Sequence, residues 1–150
     1  MQAFILAFLG SVSAGLIFNV KGFKLFFTGL SGVAGWMVYT SLLYFSGHSI
    51  MSIFAGAIAV GIYSESAARF LKTPSTVFSI PGIFPIVPGI AAYETIQLIS
   101  ANDLFNAGGK MVETMAGAGA IAFGILLVTA AFRFVSKPKA GLMIKEPYHK

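Results

Sequence analysis

The chain has 150 residues, of which 57% are hydrophobic and 10% are charged. This composition excludes a water-soluble domain of ordinary make-up and leaves no stretch long enough for a separate catalytic domain. The sequence has no cysteine, which excludes disulfides and thiolate metal sites. Its net charge of +5 comes from residues at the ends of apolar segments, which favours membrane lipids with anionic headgroups over nucleic acid as partners.

Five apolar segments are predicted to cross a bilayer, since about 20 apolar residues span its hydrocarbon core. They lie at residues 2–20, 25–46, 49–68, 76–100 and 112–134. No basic residue precedes the first segment, so we interpret it as a retained span and not as a cleaved signal peptide. The expected fold is all-α, with a polytopic transmembrane domain at 1–135 and a basic cytoplasmic tail at 136–150.

The basic residues predict the orientation of the spans. Of the ten Lys and Arg residues, all except Lys110 follow the first, third or fifth segment and therefore lie on one side. By the positive-inside rule this side is cytoplasmic, which places the N-terminus outside and the C-terminus inside. We expect a multi-pass protein of the cell inner membrane.

The connection at 101–110 is predicted to be extracytoplasmic. Asn102 or Asp103 is expected to cap a short interfacial helix there. Gly108 and Gly109 are interpreted as a pair that stops a helix.

The fourth segment is interrupted by three prolines and two glycines, in the run Pro81-Gly82-Ile83-Phe84-Pro85-Ile86-Val87-Pro88-Gly89. Each proline lacks an N–H donor and clashes with the preceding turn, so the helix must kink or open. Hydrocarbon tolerates an opened backbone where protein or a water-filled cavity satisfies it, and secondary transporters place substrates at such broken helices. A kinked helix that only packs is the alternative, but this number of prolines and glycines favours a site.

A helix that restarts after Pro88 would leave N–H groups unpaired at its positive end, which suits a carboxylate. These are the N–H groups of Gly89, Ile90 and Ala91. The carbonyls of Ile83, Phe84 and Ile86 are expected to accept hydrogen bonds from an ammonium group or water. Together they fit a zwitterionic amino acid or an organic acid. The predicted substrate-binding residues are Pro81, Gly82, Phe84, Pro85, Pro88, Gly89, Ile90, Ala91 and Tyr93.

Two acidic residues within the spans are further candidates, because ionisable groups in membranes are rare and costly. Glu94 is interpreted either as a proton carrier or as a solvated carboxylate. Glu65 and Arg69, four residues apart on one helix face, are predicted to form an ion pair, with a gate as the alternative role. No metal site, cofactor or nucleophile with a base is expected.

The segment from Thr76 to Tyr93, with its proline-glycine run, resembles the signature of the threonine/serine exporter family, and specifically that of its small split subunit. The run Gly15-Leu16-Ile17-Phe18-Asn19-Val20, Pro74 and the five spans extend the resemblance over nearly the whole chain. It implies a half-transporter that works with a larger subunit, which carries five spans of its own and a soluble region. A homo-oligomer is the alternative.

The resemblance also implies a substrate class, namely threonine and serine or, in some split pairs, a dicarboxylate such as succinate. Family members often have a basic residue after the tyrosine, where this chain has Glu94. An acid there repels a dicarboxylate unless the acid is protonated or paired. The hypothesis is thus a subunit of a proton-driven secondary exporter for small carboxylates, and not an enzyme. A non-transporting scaffold or assembly subunit and a passive channel are the alternatives.

Overall fold

The computed structural model describes residues 2–135, and the predicted tail at 136–150 lies outside the described residues. The described chain is helical throughout, which confirms the predicted all-α class. Its elements are α1 (Gln2–Ile17), α2 (Lys24–Ser46), α3 (Ser49–Leu71), α4 (Thr76–Gly82), a 3₁₀ turn (Phe84–Ile86), α5 (Gly89–Ser100) and α6 (Leu104–Val135).

The helices α2, α3 and α6 are each long and apolar enough to cross a membrane. The segment Thr76–Ile86 and helix α5 form a bent pair, which makes a fourth span if both halves belong to one crossing. The helix α1 has 16 residues, fewer than the about 20 that a full span needs. The fifth span and the orientation of the chain therefore stay predictions.

The helix α6 begins before the glycine pair that was expected to stop it. It runs without interruption from Leu104 through Gly108 and Gly109 to Val135, so the helix-stop interpretation is wrong. Asp103 precedes α6, and its carboxylate accepts a hydrogen bond from the Asn106 N–H at 3.3 Å, so the helix that it caps is the long α6 and not the short interfacial helix that was expected. A glycine inside a helix costs about 1 kcal/mol relative to alanine, and the packing of α6 against α3 and α5 offsets that cost.

The core of the bundle lies around α3, which packs against α2, α4 and α6. Small residues allow the helix backbones to approach closely, as is typical of membrane bundles. A Cβ added at Gly61 would lie 3.0 Å from the Cβ of Val128, and one at Gly124 would lie 2.9 Å from that of Ala57. The α3–α6 contact therefore depends on small side chains, while many large apolar side chains face outward.

The two halves of the broken segment have different neighbours. The helix α4 packs against α1, α2 and α3, whereas α5 packs mainly against α6. The break between Gly82 and Gly89 thus joins a buried half-helix in the bundle to a half-helix at its periphery.

Candidate functional site at the helix break

The proline-glycine run opens the helix as predicted. Helix α4 ends at Gly82 and α5 begins at Gly89. The segment Thr76–Ile86 and α5 meet at a bend of 55°. Pro85 lies in the 3₁₀ turn between them, and Pro88 immediately precedes α5. The ring of Pro88 lies against α6, where a Cβ added at Gly117 would be 3.0 Å from Pro88 Cγ.

Two of the three N–H groups predicted to be unpaired at the start of α5 lack a partner. The Gly89 N–H donates to the Val87 carbonyl at 2.7 Å, so the expectation of a free group there is wrong. The N–H groups of Ile90 and Ala91 have no hydrogen-bond acceptor within residues 2–135. They provide adjacent donors at the positive end of a 12-residue helix.

The carbonyl groups of the break are less available than expected. The Ile83 carbonyl accepts the Ile86 N–H at 2.9 Å, and the Phe84 carbonyl accepts the Val87 N–H at 3.4 Å. The 3₁₀ turn therefore uses two of the three predicted acceptors. The Ile86 carbonyl accepts no hydrogen bond from the described part of the chain.

A cavity of about 530 Å³ lies at the break. This volume is within the range of about 300–1,000 Å³ that is usual for small-molecule sites. The lining residues come from α2, α3, α5, α6 and the break itself: Trp36, Tyr39, Ser49, Ile53, Pro85, Ile86, Val87, Pro88, Gly89, Ile90, Ala91, Glu94, Lys110 and Glu113.

Five of the nine predicted substrate-binding residues line this cavity, namely Pro85, Pro88, Gly89, Ile90 and Ala91. The other four lie elsewhere. Pro81 and Gly82 are buried in α4, and the Tyr93 side chain is 66% exposed. Phe84 lines a second, apolar cavity of about 320 Å³ together with residues of α1.

An ion cluster joins α5 to α6 at the edge of the cavity. Lys110 Nζ lies 2.9 Å from Glu94 Oε2 and 3.2 Å from Glu113 Oε2. Glu94 is thus paired with Lys110, and its role as a proton carrier or as a solvated carboxylate stays a prediction. The cluster contains two carboxylates and one ammonium group, which leaves an excess of one negative charge at the cavity.

Sequence reasoning did not assign Lys110, Glu113 or Trp36 to the site. Lys110 and Glu113 are three residues apart, a spacing that places two side chains on one face of a helix. This spacing has no such meaning if the glycine pair is interpreted as the end of a helix. The indole Nε1 of Trp36 is buried and has no hydrogen-bond acceptor among the described residues. Trp36 lines both this cavity and the apolar cavity beside α1.

Glu65 and Arg69 do not line the cavity, and they face other groups. The Ser75 hydroxyl donates to Glu65 Oε1 at 2.9 Å. Arg69 Nη2 donates to the Phe132 carbonyl at 3.2 Å, and its guanidinium lies 4.8 Å from the centre of the Phe132 ring. Their ion pair and their role in a gate stay predictions. No group of three or more His, Asp and Glu within 2–135 is placed to hold a metal ion.

Apolar helices around a broken segment with unpaired backbone donors are typical of helical membrane transporters. A family model described as threonine/serine exporter, ThrE, matches residues 3–131, and the chain belongs to this family. It is therefore a membrane protein of a transporter family and not an enzyme. No solved structure gives a significant match to the chain.

Proposed function

We propose that the chain is a subunit of a secondary exporter that moves small carboxylate-bearing metabolites out across the inner membrane. The observation that carries this proposal is the cavity at the break, which is lined both by Ile90 and Ala91, whose N–H groups are unpaired, and by the Lys110 cluster. Adjacent N–H groups at a helix start bind a carboxylate, and the helix dipole favours its negative charge.

The charges of the cavity favour a zwitterion over a dicarboxylate. Glu94 and Glu113 together outweigh Lys110 by one negative charge, which repels a second carboxylate on the substrate. The ammonium group of an amino acid is attracted to the same place. Threonine and serine are accordingly the proposed substrates, ahead of succinate.

The peripheral position of α5 supports a second subunit. Thr95 is the one buried residue of α5, while Tyr93, Ile96 and Ile99, which do not line the cavity, are exposed. We propose that the larger five-span subunit of the same family covers these side chains, and that a second copy of this chain is the alternative. The proton gradient is the proposed driving force, with Glu94 as the carrier, because protonation of Glu94 would release Lys110.

The test is transport of labelled threonine, serine and succinate in vesicles that hold this chain with the larger subunit, or this chain alone. The key variant is Ile90→Pro, which removes one N–H in the first turn of α5, where proline is tolerated. Loss of a hydrogen bond to a charged group costs about 1.5–3 kcal/mol, so we expect threonine transport to fall by roughly ten- to a hundredfold.

The matched control is Ile90→Ala, which keeps the N–H and shortens the same cavity-lining side chain. The loss of transport in Ile90→Pro beyond that in Ile90→Ala therefore measures the contribution of the N–H group. Equal transport by Ile90→Pro and Ile90→Ala would contradict carboxylate binding at these donors. Vesicles that move none of the three substrates would favour a scaffold subunit. Conductance without coupling to a gradient would favour a channel.

A further inference from the structure

We infer that Glu94 recognises the ammonium group of the substrate, and that Lys110 is an internal ammonium group which the substrate displaces from it. This inference rests on the proposed function and assigns the charge selectivity of the same cavity. It starts from the ion pair of 2.9 Å between Lys110 and Glu94, both of which line the cavity. A carboxylate that already holds one ammonium group there is suited to hold another.

The position of Glu94 on α5 matches the size of an amino acid. Glu94 follows Ile90 by four residues, or about 6 Å of helix rise, and lies on the same helix face. Side chains in a helix tilt towards its N-terminal end, and at the start of α5 the N–H groups of Ile90 and Ala91 are unpaired. The nitrogen and carboxyl carbon of an α-amino acid lie about 2.5 Å apart, so with a hydrogen bond at each end the molecule can bridge these groups.

Glu113 makes the exchange possible without leaving a charge unpaired. It lies three residues after Lys110 on α6 and contacts the same Nζ at 3.2 Å. When a substrate ammonium group takes Glu94, Lys110 keeps Glu113 as its partner. Lys110 therefore keeps a carboxylate partner in both states.

The exchange also connects substrate binding to the position of α5. The Lys110–Glu94 pair joins α5 to α6, whereas the Lys110–Glu113 pair lies within α6. Displacement of Lys110 by the substrate therefore removes an ionic contact between the two helices.

The experiment compares threonine with 3-hydroxybutyrate, which is threonine without its ammonium group, as competitors of labelled threonine in vesicles. The protein is the full chain with the larger subunit. In Glu94→Gln, we expect the preference for threonine over 3-hydroxybutyrate to fall by about tenfold or more, the loss expected for a charge-assisted contact of about 1.5 kcal/mol or more. A preference that stays within about twofold of the unchanged chain would overturn the inference.

The variant Lys110→Gln tests the displacement step, and it remains informative if Glu94→Gln fails to fold. Without the internal competitor, the KM for threonine should fall, while the inhibition constant of 3-hydroxybutyrate should not. A residue that only supports the fold would change both in the same direction, and that result would contradict the displacement step.

Two further variants distinguish a direct contact between Glu94 and the substrate from a general effect of negative charge. Asp103→Asn makes the same change in charge outside the cavity and keeps a residue that caps helices well, so the preference should not change. Glu113→Gln changes the charge inside the cavity, and an equal loss of preference in Glu113→Gln and Glu94→Gln would contradict the assignment to Glu94. If the unchanged protein transports threonine while these tests fail, the exporter proposal stands and this inference does not.

Discussion

At the scale of single residues, the two glycines of the broken segment have opposite surroundings. A Cβ added at Gly82 would collide with the Ser31 hydroxyl and lie 3.1 Å from Val60 Cγ1. A Cβ added at Gly89 would have no atom within 4 Å. Gly82 therefore allows α4 to approach α2 and α3, whereas Gly89 lies beside open space.

This difference predicts the stability of two alanine variants. Gly82→Ala should destabilise the protein by about 1–3 kcal/mol, because the added methyl group overpacks the contact with Ser31 and Val60. Gly89→Ala should change stability by no more than about 0.5 kcal/mol. The measurement is the midpoint of thermal unfolding in detergent. The folded fraction at each temperature is determined by size-exclusion chromatography. Similar midpoints for the two variants would show that the close packing at Gly82 is not required.

At the scale of helices, α4 and α5 differ in how firmly the bundle holds them. The buried residues of α4 include Phe78, Ser79, Pro81 and Gly82. In α5 the buried residue is Thr95, and its ionic contact with α6 is half-exposed. Segments with few buried contacts open at lower free energy than the core, so α5 is the half of the broken segment that can move.

Hydrogen exchange tests the mobility of α5. In detergent, the amides of α5 should exchange faster than those of α3, which has nine buried residues. Lys110→Gln removes the ionic contact with Glu94 and should speed exchange in α5 without affecting α3. Equal protection of α3 and α5 would contradict a loosely held α5.

At the scale of the whole molecule, the number of crossings depends on the broken segment. If Thr76–Ile86 and α5 together cross the membrane, the connection before α4 and the connection after α5 lie on opposite sides. If the pair is re-entrant, both connections lie on the same side. The helix α6, in contrast, is long enough to cross by itself. Its 32 residues reach about 48 Å at 1.5 Å per residue, which is longer than a hydrocarbon core of about 30 Å.

Labelling of single cysteines distinguishes these topologies, because the natural sequence has no cysteine. A cysteine introduced by Ala101→Cys should react with a membrane-impermeant maleimide in intact cells. One introduced by Pro74→Cys should react only after the membrane is permeabilised. Labelling of both cysteines in intact cells would indicate a re-entrant pair. Labelling of the Pro74→Cys variant alone in intact cells would show that the orientation is opposite to the predicted one.

The sequence predicts the break of the fourth segment well, because the steric limits of proline are local and act in any context. It does not predict which backbone groups stay unpaired. The Gly89 N–H and the Ile83 carbonyl find partners through a tight turn and a 3₁₀ turn, and these depend on the exact dihedral angles. Packing overrides the local preference of Gly108 and Gly109, and the resulting helix brings Lys110 to the cavity. The ion cluster is therefore a tertiary feature.

The contact between Pro88 and Gly117 has a mechanical consequence. The Pro88 ring meets a surface of α6 that has no side chain, and a Cβ at Gly117 would lie 3.0 Å from Pro88 Cγ and 3.3 Å from Ile53 Cδ1. A larger residue at position 117 would therefore press the ring away from α6 and alter the adjoining chamber.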